Sequence, residues 1–252
     1  MSDPRISIYM PVYNGEKYIV EALRSLQSQT MEDFEVVIVN DGSTDGTLKI
    51  VEEFCAKDSR FRFASFEKNR GAAAGRNAGW KLCNPNSPYL MDHDCDDISL
   101  PVKLERLMKY LDEHSDIDGV GCFADYIDAG GKIIGAPQIH WHPRKIRRTF
   151  ARVNSMINSA TLIRRKMLEK ITPFDTIYPS TDDYDFWARA LISGFELANI
   201  PEVLHQIRIH PETIGSTRKK EIKEHVDIIA KYYRKESRRL LWNKLLRRTS
   251  AR

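Results

Sequence analysis

Apolar residues open the chain in a short run, Ile6 to Val12 (ISIYMPV), rich in β-formers and stopped by the turn pair Asn14-Gly15. From Glu16 to Gln29 the pattern changes: Ile19, Ala22, Leu23 and Leu26 recur at i, i+3, i+4 and i+7, one face of a helix. Phe34–Asn40 (FEVVIVN) is almost continuously apolar, the signature of a strand covered on both faces. A turn over residues 41–46 follows, with Thr44 or Asp45 as helix cap, and then Leu48, Val51 and Phe54 in helical phase. Phe61–Phe66 alternates as a strand does, Gly71–Leu82 reads as a helix entered through a small-residue loop, and Pro88–Met91 is a further strand. The order β-α-β-α-β-α-β predicts parallel strands with helices on both faces. Ligands in such sheets sit beyond the carboxyl ends of the strands. The loops at 11–16, 40–45 and 92–97 should therefore converge on one edge.

The second half is less regular. A helix is predicted over Pro101–Leu111, a strand over Gly119–Asp128 returning through Gly130-Gly131 into KIIG, and a buried strand over Ser155–Ile163. Asp183–Ile192 and Ile222–Leu246 read as helices, the latter basic and amphipathic. HWHPRKIRR, from His140 to Arg148, reads as a solvated loop; Asp125 and Asp128 read as turn formers, and Trp187 as a packing residue.

Charge adds one feature. The net +4 of the 252 residues conceals a segment from Arg218 to Arg252 with 13 Lys/Arg and 4 Asp/Glu, beside a mildly acidic body. That segment suits an anionic surface. Leu240, Leu241, Trp242, Leu245 and Leu246, ringed by basic residues over 238–248, fit a peripheral helix on an anionic membrane; packing on the body or on a second subunit is the alternative. No nucleic-acid partner is expected. No apolar run reaches 18 residues, so a membrane-spanning helix is excluded, and the first residues lack a signal-peptide pattern. Cys55, Cys83, Cys95 and Cys122 form no C-x-x-C pair, which argues against a zinc knuckle and for a reducing, cytoplasmic setting.

Candidate chemistry lies in three segments. Asp92-His93-Asp94-Cys95-Asp96-Asp97 places four carboxylates in six residues, a repulsion that a divalent cation relieves; a solvated acidic loop is the plainer alternative. Hard oxygen donors favour Mg²⁺ or Mn²⁺. Residues 69–79 (NRGAAAGRNAG) permit close backbone approach at a helix start, with Arg76 one turn in, where it reaches a phosphate or a base edge; tight packing explains the small residues equally well. Asp182 and Asp183 stand at the start of a helix, as catalytic groups or as caps. Neither a G-x-G-x-x-G fingerprint nor a Walker loop is present.

In order, IYMPVYNGEKYI, VIVNDGSTDGT, NRGAAAGRNAG, DCDDISLP, TDDYDFWARAL and IRIHPETIGS resemble the landmarks of the family 2 glycosyltransferases of the GT-A fold, over roughly Ile6 to Ser216. The resemblance implies an α/β fold: a mostly parallel central sheet flanked by helices, with a Rossmann-like nucleotide-binding half (1–100), an acceptor half (101–217) and a basic helical tail (218–252). It implies that Pro11, Val12 and Tyr13 lie along the nucleotide, that Asp41 bonds the base, and that Asn69 and Arg76 contact the nucleotide. It maps the family's D-x-D onto Asp94 and Asp96, with Asp96 the stronger metal ligand and Asp94 near the nucleotide, and adds His210 to the metal or diphosphate site. Asp183, or its neighbour Asp182, becomes the general base. The chain departs from the family at Asp92 and His93, usually apolar positions, which creates a second D-x-D, and at Asp182, where a glutamate is usual. The implied activity is inverting, Mn²⁺- or Mg²⁺-dependent sugar transfer from a nucleotide sugar, most simply a UDP-sugar, to a glycan or lipid-linked acceptor in surface-polysaccharide assembly. The competing readings are a nucleotidyltransferase, for which the first loop lacks a basic residue, and a non-catalytic module recruited by the basic tail.

Overall fold

Alternate residues of the first strands go to opposite faces of one sheet, and this divides the core in two. Ile6, Ile8, Met10, Val36, Ile38, Tyr89 and Met91 enter one apolar cluster; Tyr9, Val37 and Leu90 enter the other. The computed structural model describes residues 3–171, 174–213 and 217–249, with side chains to Leu240. In chain order the elements are β1 (Ile6–Val12), α1 (Ile19–Gln27), β2 (Phe34–Asn40), α2 (Thr47–Cys55), β3 (Phe61–Ser65), α3 (Ala72–Leu82) and β4 (Tyr89–Asp92). There follow β5 (Ile98–Ser99), α4 (Lys103–Glu113), β6 (Gly119–Ile127), β7 (Ile133–Gly135), α5 (Pro143–Thr149), a 3₁₀ turn (Asn158–Ala160), β8 (Leu162–Arg164), α6 (Lys166–Lys170), α7 (Asp182–Ile192), β9 (Leu197–Arg208) and α8 (Lys219–Thr249).

The sheet order is β3-β2-β1-β4-β8-β6-β9-β5, with β7 paired to β6. The first four strands are mutually parallel, Ile6 facing Phe34 on one side and Tyr89 on the other. β8 joins β4 antiparallel, and β6 and β9 run parallel to each other. This is the α/β architecture the sequence predicts, with the carboxyl ends of β1, β2 and β4 on one edge.

Three segments differ from the sequence reading. The buried strand expected over Ser155–Ile163 is reduced to β8; ahead of it, Ser155, Asn158 and Ser159 are buried polar residues whose hydrogen bonds go to side chains or other backbone rather than along a strand ladder. The expected solvated loop at 140–148 holds α5, because His142 Nδ1 accepts from the Arg144 N–H at 3.2 Å, Pro143 starts the helix, and Ile146 and Phe150 are buried. β9 is not isolated in the sequence because Pro201 interrupts its apolar run; the β6–β9 register slips there, from Cys122↔Ile200 to Phe123↔Val203. α1 also begins three residues late, since Gly15 and Glu16 are tied to the second loop.

The basic helix α8 is not a free appendage over its first half. Ile229, Ala230 and Tyr233 are buried in the second apolar cluster, Val226 packs against it, and the Tyr233 hydroxyl donates to the Arg147 carbonyl at 2.8 Å. The side chains of Leu241, Trp242, Leu245 and Leu246, and residues Ile214, Gly215 and Ser216, lie outside the described residues. Among the described residues, no helix is long and apolar enough to cross a membrane.

Candidate active site

The first two loops are stitched together. Asn14, itself at φ 51°, accepts at its side-chain oxygen from the Thr44 N–H (2.9 Å), and its own N–H donates to Ser43 Oγ. Glu16 accepts from the Gly46 N–H at 2.8 Å. The third small-residue loop is then pinned from below: both carboxylate oxygens of buried Asp41 are used, one by the Arg70 N–H and one by the Gly71 N–H, each at 2.8 Å. Burial raises the Asp41 carboxyl, and the two N–H groups and Arg70 oppose that shift. Asn69 is exposed beside it, its side-chain oxygen accepting from Gly71. Pro11 is half-buried, Val12 buried and Tyr13 exposed at this edge. Gly75 lets α3 lie directly on the first loop, since a Cβ there would stand 2.8 Å from Pro11 Cβ.

Arg76 is the hub of the cleft. Its guanidinium is buried and reaches three carboxylates: Asp92 through Nε, Asp182 through Nη1 at 2.9 Å, and Asp94 through Nη2 at 3.0 Å. Burial alone would lower its affinity for a proton, but Asp182, Asp92 and Asp94 outweigh it. Asp92, one of the two departures from the family pattern, also accepts from Asn158, and its second oxygen is buried without a partner among the described residues. Arg76 thus ties α3 to the acidic loop and to the start of α7.

Around that hub the negative charge is only partly matched. Asp92, Asp94, Asp96, Asp97, Asp182 and Asp183 gather where one guanidinium pairs directly with three of them. Burial pushes Asp92 and Asp94 up to about 7, against the pull of Arg76, with neighbouring carboxylates adding to the rise. Asp97 goes up to about 6 through burial, although Ser159 and the Arg208 N–H bond it. Asp96 is raised by burial and by Asp97; its Oδ2 meets His210 Nε2 at 2.9 Å, and His210 Nδ1 meets Glu212 at 2.8 Å. The imidazole of His210 also packs on the ring of Tyr18, 4.8 Å between centroids.

At the start of α7 the two candidate bases part company. Asp182 is buried and ion-paired. Asp183 is half-buried, accepts among the described residues only from its neighbour's N–H (Tyr184, 2.7 Å), and is pushed up to about 6 by burial and by Asp182, against Arg76.

Behind the acidic loop lies a polar layer the sequence reading missed. Lys103 Nζ, fully buried, bonds Ser99, the Ser159 carbonyl (2.7 Å) and His205 Nδ1 (3.0 Å), while His205 Nε2 meets Asp97 at 3.0 Å. His93, the other departure, is buried against Ser99. Arg208 donates to the Asp96 carbonyl and to Glu21. A signal existed for Lys103: it stands four residues before Leu107, on the apolar face of its helix. None existed for His205 or Arg208 without the strand that carries them.

A divalent cation suits this donor set. Asp94 and Asp96 offer hard oxygens and His210 a nitrogen, in a cleft with excess negative charge. Among the described residues, no group of three or more His, Cys, Asp or Glu side chains is placed to hold a metal ion by itself.

Residues 7–172 match the model of glycosyl transferase family 2. An uncharacterised glycosyltransferase of Methanocaldococcus jannaschii is 31% identical over 212 residues, 83% of this chain and 72% of the relative. The amylovoran biosynthesis glycosyltransferase AmsE of Erwinia amylovora is 28% identical over 222 residues, 84% of this chain and 79% of AmsE. Among solved structures, S. aureus TarS 1–349 in complex with UDP-GlcNAc superposes with a TM-score of 0.72 at 24% identity, over 84% of this chain. This chain spans 61% of that one, and the likeness is one of fold.

Proposed function

Because the chain belongs to glycosyl transferase family 2, we propose that it moves a sugar, with inversion, from a UDP-sugar to a hydroxyl of a glycan or lipid-linked acceptor. The observation that carries this reading is the contrast between Asp182, consumed by Arg76, and Asp183, half-buried beside it with a raised carboxyl. Two adjacent carboxylates with different environments are a sign of different chemical tasks. Asp183 takes the acceptor proton as the acceptor oxygen attacks the anomeric carbon. The bond from that carbon to the diphosphate breaks on the opposite face, and UDP leaves with the bonding electrons. A positioned base of this kind contributes about 10²–10⁴-fold. Asp182 and Arg76 hold the start of α7 against the acidic loop, which keeps Asp183 at the reacting centre.

On the donor side, Pro11, Val12 and exposed Tyr13 line the nucleotide, and Asp41 shapes the base pocket by bracing the loop that carries Asn69. Arg76 and Asp94 stand nearest the diphosphate. Asp94, Asp96 and His210 would hold Mn²⁺ or Mg²⁺. The cation's chemistry is to offset the charge of a departing nucleoside diphosphate. TarS, which shares the fold, is solved with UDP-GlcNAc, which supports the donor class. AmsE, named for amylovoran biosynthesis, supports a role in surface-polysaccharide assembly. A cytoplasmic site of action, with residues 238–248 meeting an anionic membrane, fits the concentration of basic charge there.

The test is a screen of nucleotide sugars, with Mn²⁺ or Mg²⁺ and with chelator. UDP should be released from a UDP-sugar only when the cation is present. Consumption of a nucleoside triphosphate with a sugar phosphate, and none of a nucleotide sugar, would replace this reading with nucleotidyl transfer.

A further inference from the structure

A groove lies apart from the acidic cleft. It has a volume of about 1000 Å³ and lies between α5, the carboxyl end of α7 and α8. An 11-residue helix is about 16 Å long, so this groove sits roughly that far from Asp183, at the other end of α7. Arginines dominate its wall. Arg147 is spoken for: it donates to the Leu191 and Phe195 carbonyls and pairs with Glu196, the only acidic residue lining the groove among the described residues. Arg234 reaches the Ala151 carbonyl. Arg144, Arg148, Arg152 and Arg238 line the same groove, are exposed, and have no acidic partner or hydrogen-bond acceptor among the described residues.

Four unpaired guanidinium groups around one concavity repel one another, and a bound anion removes that cost. The positive charge of the guanidinium groups attracts phosphate oxygens. The groove also has apolar lining, from Leu191, Ile192 and Leu240. Cations beside apolar surface fit a lipid phosphate better than a free ion, because the first contacts of its chains are then covered too. Beyond Leu240 the same helix continues into the Leu- and Trp-bearing basic stretch.

We propose that this groove seats the phosphates of anionic lipids at a bilayer surface, with Arg144, Arg148, Arg152 and Arg238 as the binding residues. The proposal deepens the membrane contact proposed for 238–248 and rests on that reading; it shares Arg238 with it and adds Arg144, Arg148 and Arg152. It makes α5 and α8 together, rather than the end of α8 alone, the membrane-facing surface.

Co-sedimentation of the full chain with vesicles of phosphatidylglycerol and phosphatidylcholine in equal parts tests it, with phosphatidylcholine alone as control. The full chain should bind the anionic vesicles only. Arg144→Ala/Arg148→Ala/Arg152→Ala should bind about 100-fold more weakly, the loss of three cations near an anionic surface. The matching triple Lys variant keeps the charges and should stay within a few-fold. A triple Ala variant that binds as the full chain does overturns the groove. If Trp242→Ala/Leu245→Ala alone then abolishes binding, the 238–248 contact survives without it. A chain that binds neither vesicle removes both readings. A Lys variant as weak as the Ala variant also overturns the proposal, since charge would not be the cause. Inorganic phosphate that displaces the protein at matched ionic strength would make the ligand a free anion rather than a lipid.

Discussion

Lys103 carries its ammonium into the interior, where burial pushes it down to about 8 from an ordinary 10.5. Between those values the unfolded chain holds the proton more firmly than the folded one, so folding stability should rise with pH across that window. Lys103→Met removes the effect. Urea midpoints at about pH 7 and about pH 9.5 should climb in the wild type relative to this variant; parallel behaviour would mean that Lys103 does not titrate inside the fold. On the other side of the same layer, Asp96→Ala should weaken cation-dependent UDP binding at least about 10-fold by calorimetry, the scale seen when even outlying supports of a metal site are lost. Equal affinity with and without chelator in the wild type would remove the cation from the site. At this scale the carboxylates were legible, since four acids in six residues need a counter-charge somewhere. Their partners were not. Nothing local to Arg76 indicates that Asp182, 106 residues away, takes its Nη1, or that Asp41 braces the third loop through the Arg70 and Gly71 N–H groups.

α3 approaches β1 closely because two of its residues have no side chain. A Cβ on Gly79 would stand 2.7 Å from Tyr9 Cβ, as one on Gly75 would from Pro11 at 2.8 Å. Gly75→Ala should therefore cost about 1–3 kcal/mol in denaturant unfolding. Since α3 carries Arg76 and Pro11 is among the residues proposed to line the nucleotide, UDP affinity should fall with it. An alanine variant as stable as the wild type would mean that the helix shifts freely. The elements of the first half were legible because each carries a clear pattern: a run of β-formers for β1, a period of two for β3, a continuous apolar run for β2, and a period of 3.6 for α1. The second half obscured its elements for identifiable reasons. Pro201 breaks β9, the arginine-rich α5 exposes most of its surface and buries chiefly Ile146, and the segment before β8 uses its polar residues to support the site.

Over the whole molecule, the basic helix and the body are one packing unit as far as Tyr233. Its ring lies 5.0 Å from Phe150, which stacks on Tyr184 at 4.7 Å, in the first turn of α7 beside Asp183. Tyr233→Ala should destabilise the protein by about 3 kcal/mol, read from thermal or urea unfolding. An unchanged midpoint would mean that α8 stands free of the body. The same aromatic stack links the basic groove to the end of α7 that carries Asp182 and Asp183, so the two ends of that helix share one support. The parallel first half was legible from alternation; the docking of α8 was not, because its apolar positions are sparse among lysines and arginines. The central claim is the division of work between two adjacent carboxylates, and one comparison tests it: sugar transfer and UDP affinity for Asp183→Asn beside Asp182→Asn. Asp183→Asn should lose transfer by about 10²–10⁴-fold while UDP affinity stays within a few-fold, because the amide keeps the shape and cannot accept the acceptor's proton. An active Asp183→Asn variant would contradict the assignment, and a dead Asp182→Asn beside it would move the base to the neighbouring residue.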